Sequence, residues 1–194
     1  MLTAEKIHCV RNSRSIFRDI DFSITPGSML QIVGNNGVGK SSLLRIIAGL
    51  LQPESGQVYW HHQPIAQSNF YDHLFYLGHM LGIKSELSVA ENISYSPLSD
   101  SIKTVLNTWS LDNVMHDLCG TLSQGQRQRV ALARLQISAK QLWILDEPFS
   151  NLDSTGILQL EKLLQNHLDN GGMVLLSTHR EIMFKEVKQM LLEL

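Results

Sequence analysis

The run Gly34-Asn35-Asn36-Gly37-Val38-Gly39-Lys40-Ser41-Ser42 constrains this chain more than any other segment. It follows the apolar stretch Met29 to Val33 and opens a segment in which Leu43, Leu44, Ile47 and Leu50 recur at helical spacing, with Gly49 and Pro53 as stop signals. A strand, a glycine-rich loop and a helix in that order form half of a βαβ unit. The loop fits G-x-x-x-x-G-K-[ST], in which glycines let the backbone wrap an anion and successive N–H groups point inward. The helix N-terminus adds about half a positive charge. Lys40 then supplies a point charge for the β- and γ-phosphates of a nucleotide, and Ser41 a hydroxyl for Mg²⁺.

The rest of the chain reads as the fold this loop needs. Two β-type segments lie around residues 4–10 and 16–24, with Thr25-Pro26-Gly27 as the turn after the second. Gly56 to His62 and Leu74 to Leu77 read as further strands. A helical insert begins near Leu87 and is broken by Pro97 and Ser/Asp-rich links. With the helix from Gln124 to about Ser138 it forms a small subdomain over approximately 87–138. Alternation then resumes: a buried strand Leu142 to Leu145, a helix through Ile157, Leu160, Leu164 and Leu168, and a strand Met173 to Ser177. Buried strands alternating with helices predict an α/β fold with a mostly parallel sheet, as one domain over 1–194.

Composition narrows the partners. With 16 basic against 18 acidic residues and a net charge of −2, the chain has no large positive field for nucleic acid or an anionic membrane. Any anion must be caught locally. The longest apolar stretches are too short to span a bilayer, and MLTAEKIHCV shows no basic region followed by an apolar block, so retention in the cytosol is the expectation. Cys9 and Cys119 are far apart and read as buried free thiols.

Three further segments carry chemistry. Leu142-Trp143-Ile144-Leu145-Asp146-Glu147-Pro148 is an apolar strand ending in two carboxylates. In an open parallel sheet ligands bind beyond the strands' C-terminal ends, so these groups face the same crevice as the glycine loop. Asp146 is read as the metal-side carboxylate and Glu147 as the general base for the attacking water. His179 follows the strand ending at Thr178 and opens into that crevice, where its ring can bridge the γ-phosphate and water. In Leu122-Ser123-Gln124-Gly125-Gln126, Ser123 is a helix N-cap or part of a second anion site, and a second site for one nucleotide suggests service to another subunit's phosphate.

The ordered set of Gly34 to Ser42, Leu122 to Gln126, Asp146-Glu147, Ser150-Asn151-Leu152-Asp153 and His179 resembles the ATP-binding-cassette (ABC) ATPases. The resemblance covers essentially the whole chain. It implies a nucleotide-binding cassette with an N-terminal antiparallel β subdomain and the helical insert, and a homodimer sandwiching two ATP molecules head to tail. It also implies that Ser123 and Gly125 contact the γ-phosphate in trans, that Gln126 belongs to the same nucleotide-binding segment, that Asp153 lies on the loop crossing the dimer interface and binds nucleotide, and that His179 is the switch histidine. Two positions depart from the family pattern. The glutamine that commonly touches Mg²⁺ and the transport subunit is His79 here, whose neutral imidazole can still coordinate the metal or hydrogen-bond to it through water. The aromatic that stacks on adenine is replaced by Arg11, with Phe17 as a displaced alternative.

The stretch Tyr76 to Tyr95, with the signature region and LWILDEPFSNLD, is similar to the CcmA family, the ATP-binding subunits of cytochrome c maturation (haem exporter) systems. That similarity implies ATP hydrolysis at the cytoplasmic face of a bacterial inner membrane, with membrane partners of CcmB and CcmC type. It implies release of a haem chaperone or haem export, with no direct haem binding by this chain. His61-His62 accordingly reads as an exposed turn. The alternatives are the ATPase subunit of another ABC exporter, or a weakly hydrolysing, nucleotide-gated regulatory cassette suggested by His79 and Arg11.

Overall fold

A computed structural model describes residues 1–93, 100–179, 182 and 188–193. The chain divides into two compact units. The first comprises Met1–Tyr76, Lys140–Glu147 and Gln165–Leu194; the second comprises Leu77–Ala139 and Pro148–Leu164. Among the described residues no helix is long and apolar enough to cross a membrane.

The first unit holds two sheets. β1 (Leu2–Arg11), β2 (Arg14–Ile24), β4 (Ser55–Trp60) and β5 (Gln63–Pro64) form a four-stranded sheet in the order β2-β1-β4-β5, with antiparallel pairing throughout. Its two hairpins turn through Asn12-Ser13 and His61-His62, all four at positive φ, which matches the right-handed strand twist in a two-residue connection. His61 and His62 are thus exposed hairpin residues.

The second sheet runs β6-β7-β8-β3-β9. Its members are β3 (Ser28–Val33), β6 (Leu74–Leu77), β7 (Leu142–Asp146), β8 (Met173–Thr178) and β9 (Lys188–Glu193). β7, β8, β3 and β9 pair in parallel. Every residue of β7 and β8 is buried, as strands covered on both faces must be, which is why they read as unbroken apolar runs. β9 was not legible in sequence. It is an edge strand that exposes Leu191 and leaves Met190 and Leu192 half-buried, and its apolar run Met190-Leu191-Leu192, flanked by polar residues, is too short to mark a strand by itself.

Helix α1 (Lys40–Ile47) links the sheets through one core. Leu43, Leu44, Ile46 and Ile47 are buried with Leu2, Ile7 and Ile24 from one sheet and Ile32, Ile144 and Leu175 from the other. Each such side chain contributes roughly 1.5–3 kcal/mol by leaving water. Leu50, expected on the same apolar face, lies beyond the helix end and is exposed. The stop is at Gly49, whose φ of 72° favours glycine and where a Cβ would overlap the Tyr71 hydroxyl. A short helix α2 (Phe70–His73) precedes β6.

In the second unit α3 (Val89–Ile93), α4 (Asp100–Thr108) and α5 (Gln124–Gln136) supply the helices. Val89, Ile102, Val105, Leu106, Trp109, Val130 and Leu135 are buried there, and Trp109 Nε1 donates to Gln136 Oε1 at 2.7 Å. Pro97 lies outside the described residues. α6 (Ser154–Asp169) begins in this unit and ends in the first. Cys9 and Cys119 are buried free thiols, and burial pushes both upward in pKa.

At the end of α6 the His167 ring stacks flat on Trp143, with centroids 3.6 Å apart, and its Nε2 lies 3.2 Å from the Gln141 carbonyl. Burial lowers its pKa from 6.5 to about 4. The unfolded chain therefore binds a proton here that the folded chain refuses, so stability rises with pH across that window. We expect the denaturation midpoint in urea to fall as pH drops from about 6.5 to about 4, and His167→Phe, which keeps the stack, to flatten that dependence.

Candidate functional site

The glycine loop leaves β3 and closes on α1. Lys40, 5% exposed, donates through Nζ to the carbonyls of Gly34 at 2.7 Å and Asn35 at 3.1 Å, so two of its three protons stretch the side chain across the loop. Gly39, the residue before α1, sits at φ 119° and offers no side-chain cap. The N-cap position thus gives the first N–H groups of α1 no side-chain acceptor, and the helix dipole favours an anion at this end. Gly39 is also sterically required, because a Cβ would come within 2.5 Å of Ile16 Cγ2 and 3.1 Å of the Phe17 ring. Asn35, Asn36, Gly37 and Ser41 are exposed, Val38 is half-buried, and Ser42 is buried.

Parallel register places the other groups at the same edge. Val33 pairs with Thr178 and Asp146 with Ser177, so the chain emerges from β3, β7 and β8 side by side as Gly34, Glu147 and His179. Glu147 turns out of β7 at φ 50°, a left-handed conformation that costs a non-glycine residue about 1 kcal/mol or more. Its carboxylate meets His179, with Nε2 to Oε1 at 2.8 Å. Asp146 is buried, and its Oδ1 accepts the Ser177 hydroxyl at 2.6 Å, while the Glu147 backbone N–H donates to Ser177 Oγ at 2.9 Å. Tyr76, next in chain to the end of β6, is raised in pKa by burial and then by the Asp146 charge. Beyond His179 the chain is pinned by Gln31 of β3, which donates to the Ile182 carbonyl at 2.7 Å and accepts the Ile182 N–H at 2.9 Å.

The second unit carries the remaining predicted residues. Ser123 caps α5 in a reciprocal box: its Oγ accepts the Gln126 N–H at 3.2 Å, and Gln126 Oε1 accepts the Ser123 N–H at 2.9 Å. Capping occupies a lone pair of Ser123 and leaves its hydroxyl proton as a donor. Gly125 is demanded by a close approach, because a Cβ there would come within 2.9 Å of the Asn151 carbonyl. Asp153 begins α6 by accepting the Gly156 N–H, and Arg129 Nη2 of α5 reaches both its carboxylate oxygens at 2.8 Å. The Gly156 amide, then Arg129, hold its carboxyl below the usual range. His79 is exposed and belongs to this unit, whereas Ser41 and Asp146 belong to the first.

Arg11 is exposed at the β1–β2 turn. Phe17 is 8% exposed and packs into the core beneath Gly39, so its ring supports the loop and presents little face to a base. Sequence reasoning missed Ser177, Gln31 and Arg129. Ser177 is a polar residue inside an apolar strand, the one local hint; the other two are defined only by tertiary contacts.

The ABC transporter family model matches residues 17–150. This chain belongs to that family. Its curated relatives include the cytochrome c biogenesis ATP-binding export protein CcmA of Photobacterium profundum, 42% identical with 94% of each chain covered. The CcmA of Shewanella oneidensis is 41% identical over 94% of this chain and 88% of its own. Similarity at that level and coverage places the chain in the CcmA branch. Among solved structures, a bacterial ABC transporter cassette determined as a dimer superposes with a TM-score of 0.79 at 21% identity, covering 93% of this chain and 88% of that one. The α/β cassette fold expected from the sequence is the fold observed.

Gly39→Ala should force Ile16 and Phe17 aside and distort the loop. We expect ATP affinity, measured by equilibrium dialysis, to weaken about tenfold or more, with a lowered melting temperature.

Proposed function

We propose that this chain is the ATP-hydrolysing subunit of a CcmAB-type ABC complex in c-type cytochrome biogenesis, acting as a homodimer beside membrane subunits of CcmB and CcmC type. The observation that carries the reading is the convergence of the Lys40 loop, the Asp146-Glu147 pair and His179 at adjoining C-terminal strand ends. ABC ATPases bind ATP at such a loop. The haem-related process rests on the relatives' CcmA name, and the dimer on the neighbour solved in that state.

On this reading the residues divide the work. Gly34 to Ser42 hold the phosphates, with Lys40 released from its loop carbonyls to the β- and γ-phosphates. Ser41 and Asp146 offer a hydroxyl and a carboxylate, hard oxygen donors that suit Mg²⁺. Among the described residues no cluster of three or more His, Cys, Asp or Glu side chains could hold a metal alone, and Mg²⁺ shared with substrate phosphates needs none. When bound, Mg²⁺ neutralises charge on the β- and γ-phosphates. His79 is the candidate for the outer contact the family assigns to glutamine. Glu147 accepts a proton from the attacking water, and His179 fixes the Glu147 carboxylate while its ring faces the γ-phosphate.

Ser123, Gly125 and Gln126 of a second copy would meet the same γ-phosphate, with Asp153 on the loop between the copies. The closed dimer then binds ATP better than ADP, and loss of the γ-phosphate reopens it, so that this differential affinity would drive the membrane subunits. The protein would sit peripherally at the cytoplasmic face of the inner membrane.

Glu147→Gln keeps the shape and removes the base. Turnover should fall about a hundredfold or more while ATP still binds. Equal, near-zero rates for wild type and variant would favour the regulatory cassette suggested by His79 and Arg11. Recovery of the tagged chain from membranes with CcmB-type subunits supports the biogenesis role, whereas recovery with subunits of another exporter refutes it.

A further inference from the structure

Ser177 lies wholly buried near the end of β8, directly opposite Asp146 in the parallel register. Its hydroxyl has one proton and two lone pairs. The Glu147 backbone N–H, 2.9 Å away, can only donate, so it takes a lone pair of Oγ. The proton is thereby directed to Asp146 Oδ1 at 2.6 Å. One buried hydroxyl therefore fixes two things together. It orients the Asp146 carboxylate by engaging a single oxygen, and it holds the backbone of Glu147 in its left-handed conformation. A hydrogen bond to a carboxylate is about twice as strong as a neutral one, and shielding from water strengthens it further.

We propose that Ser177 is a positioning residue for ATP hydrolysis, aligning the Asp146 carboxylate for the cation and the Glu147 side chain for the attacking water. The inference rests on the ATPase reading. Ser177 touches neither reacting atom. It acts through Asp146 and Glu147, and its loss should separate cation response from nucleotide binding.

The test compares wild type with Ser177→Ala, Ser177→Thr and Ser177→Cys in the full chain. Turnover is measured against Mg²⁺ concentration, and binding of a fluorescent, non-hydrolysable ATP analogue is measured with Mg²⁺ and with EDTA. For Ser177→Ala we expect turnover to fall about tenfold to a hundredfold, the Mg²⁺ concentration for half-maximal tightening of analogue binding to rise about threefold to tenfold, and affinity in EDTA to stay within about twofold. Ser177→Thr retains the hydroxyl and should remain within about threefold of wild type. Ser177→Cys keeps the volume with a poor hydrogen-bonding group and should behave like the alanine variant, which keeps the test decisive if alanine fails to fold.

Wild-type Mg²⁺ response and turnover in Ser177→Ala or Ser177→Cys would overturn the proposal. So would equal loss of analogue affinity with and without Mg²⁺, or a threonine variant as impaired as alanine, since each marks a packing role. Absence of turnover in wild type would instead refute the ATPase reading, while the Mg²⁺ dependence of analogue binding still reports on Ser177.

Discussion

The parallel hydrogen-bonded register of β7, β8 and β3 is the constraint on which the site depends. Each strand contributes little chemistry along its length, being buried on both faces. What matters is that the three end level. A slip of one residue in β8 would send the Ser177 side chain to the other face of the sheet and remove its bond to Asp146, and would carry His179 away from Glu147. The shared core of α1 with both sheets keeps this register fixed, and Gln31 ties down the segment beyond His179 from the neighbouring strand.

In the second unit a short polar segment is ordered by the start of a helix. Ser123 and Gln126 satisfy each other's backbone donors at the start of α5, and Gly125 yields space to the Asn151 carbonyl. A short polar segment at a helix start is thereby made rigid, with a hydroxyl proton still to offer. Arg129 continues the theme by joining α5 to Asp153 at the head of α6.

The parts of the site that repeat a local pattern were legible in the sequence. The glycine loop declares itself by spacing, and Asp146, Glu147 and His179 by following apolar strands. Most of the longer strands and helices were equally readable, because alternating or continuous apolar runs and amphipathic helices leave distinct periods. What could not be read depends on partners distant in sequence: Ser177 facing Asp146, Gln31 gripping Ile182, and Phe17 buried beneath Gly39. β9 escaped because an edge strand buries too little to leave a signal, and Leu50 misled because a glycine conformation ended α1 before its apolar spacing did.

On the proposed function, ATP is held between two copies of this chain and its γ-phosphate joins them. Sedimentation velocity of the Glu147→Gln variant tests it most directly, since bound ATP persists there. A dimer is expected with Mg²⁺ and ATP, a monomer with ADP, and loss of the ATP dimer when Ser123→Arg is added. A monomer under every condition, or a dimer indifferent to the nucleotide, would contradict it.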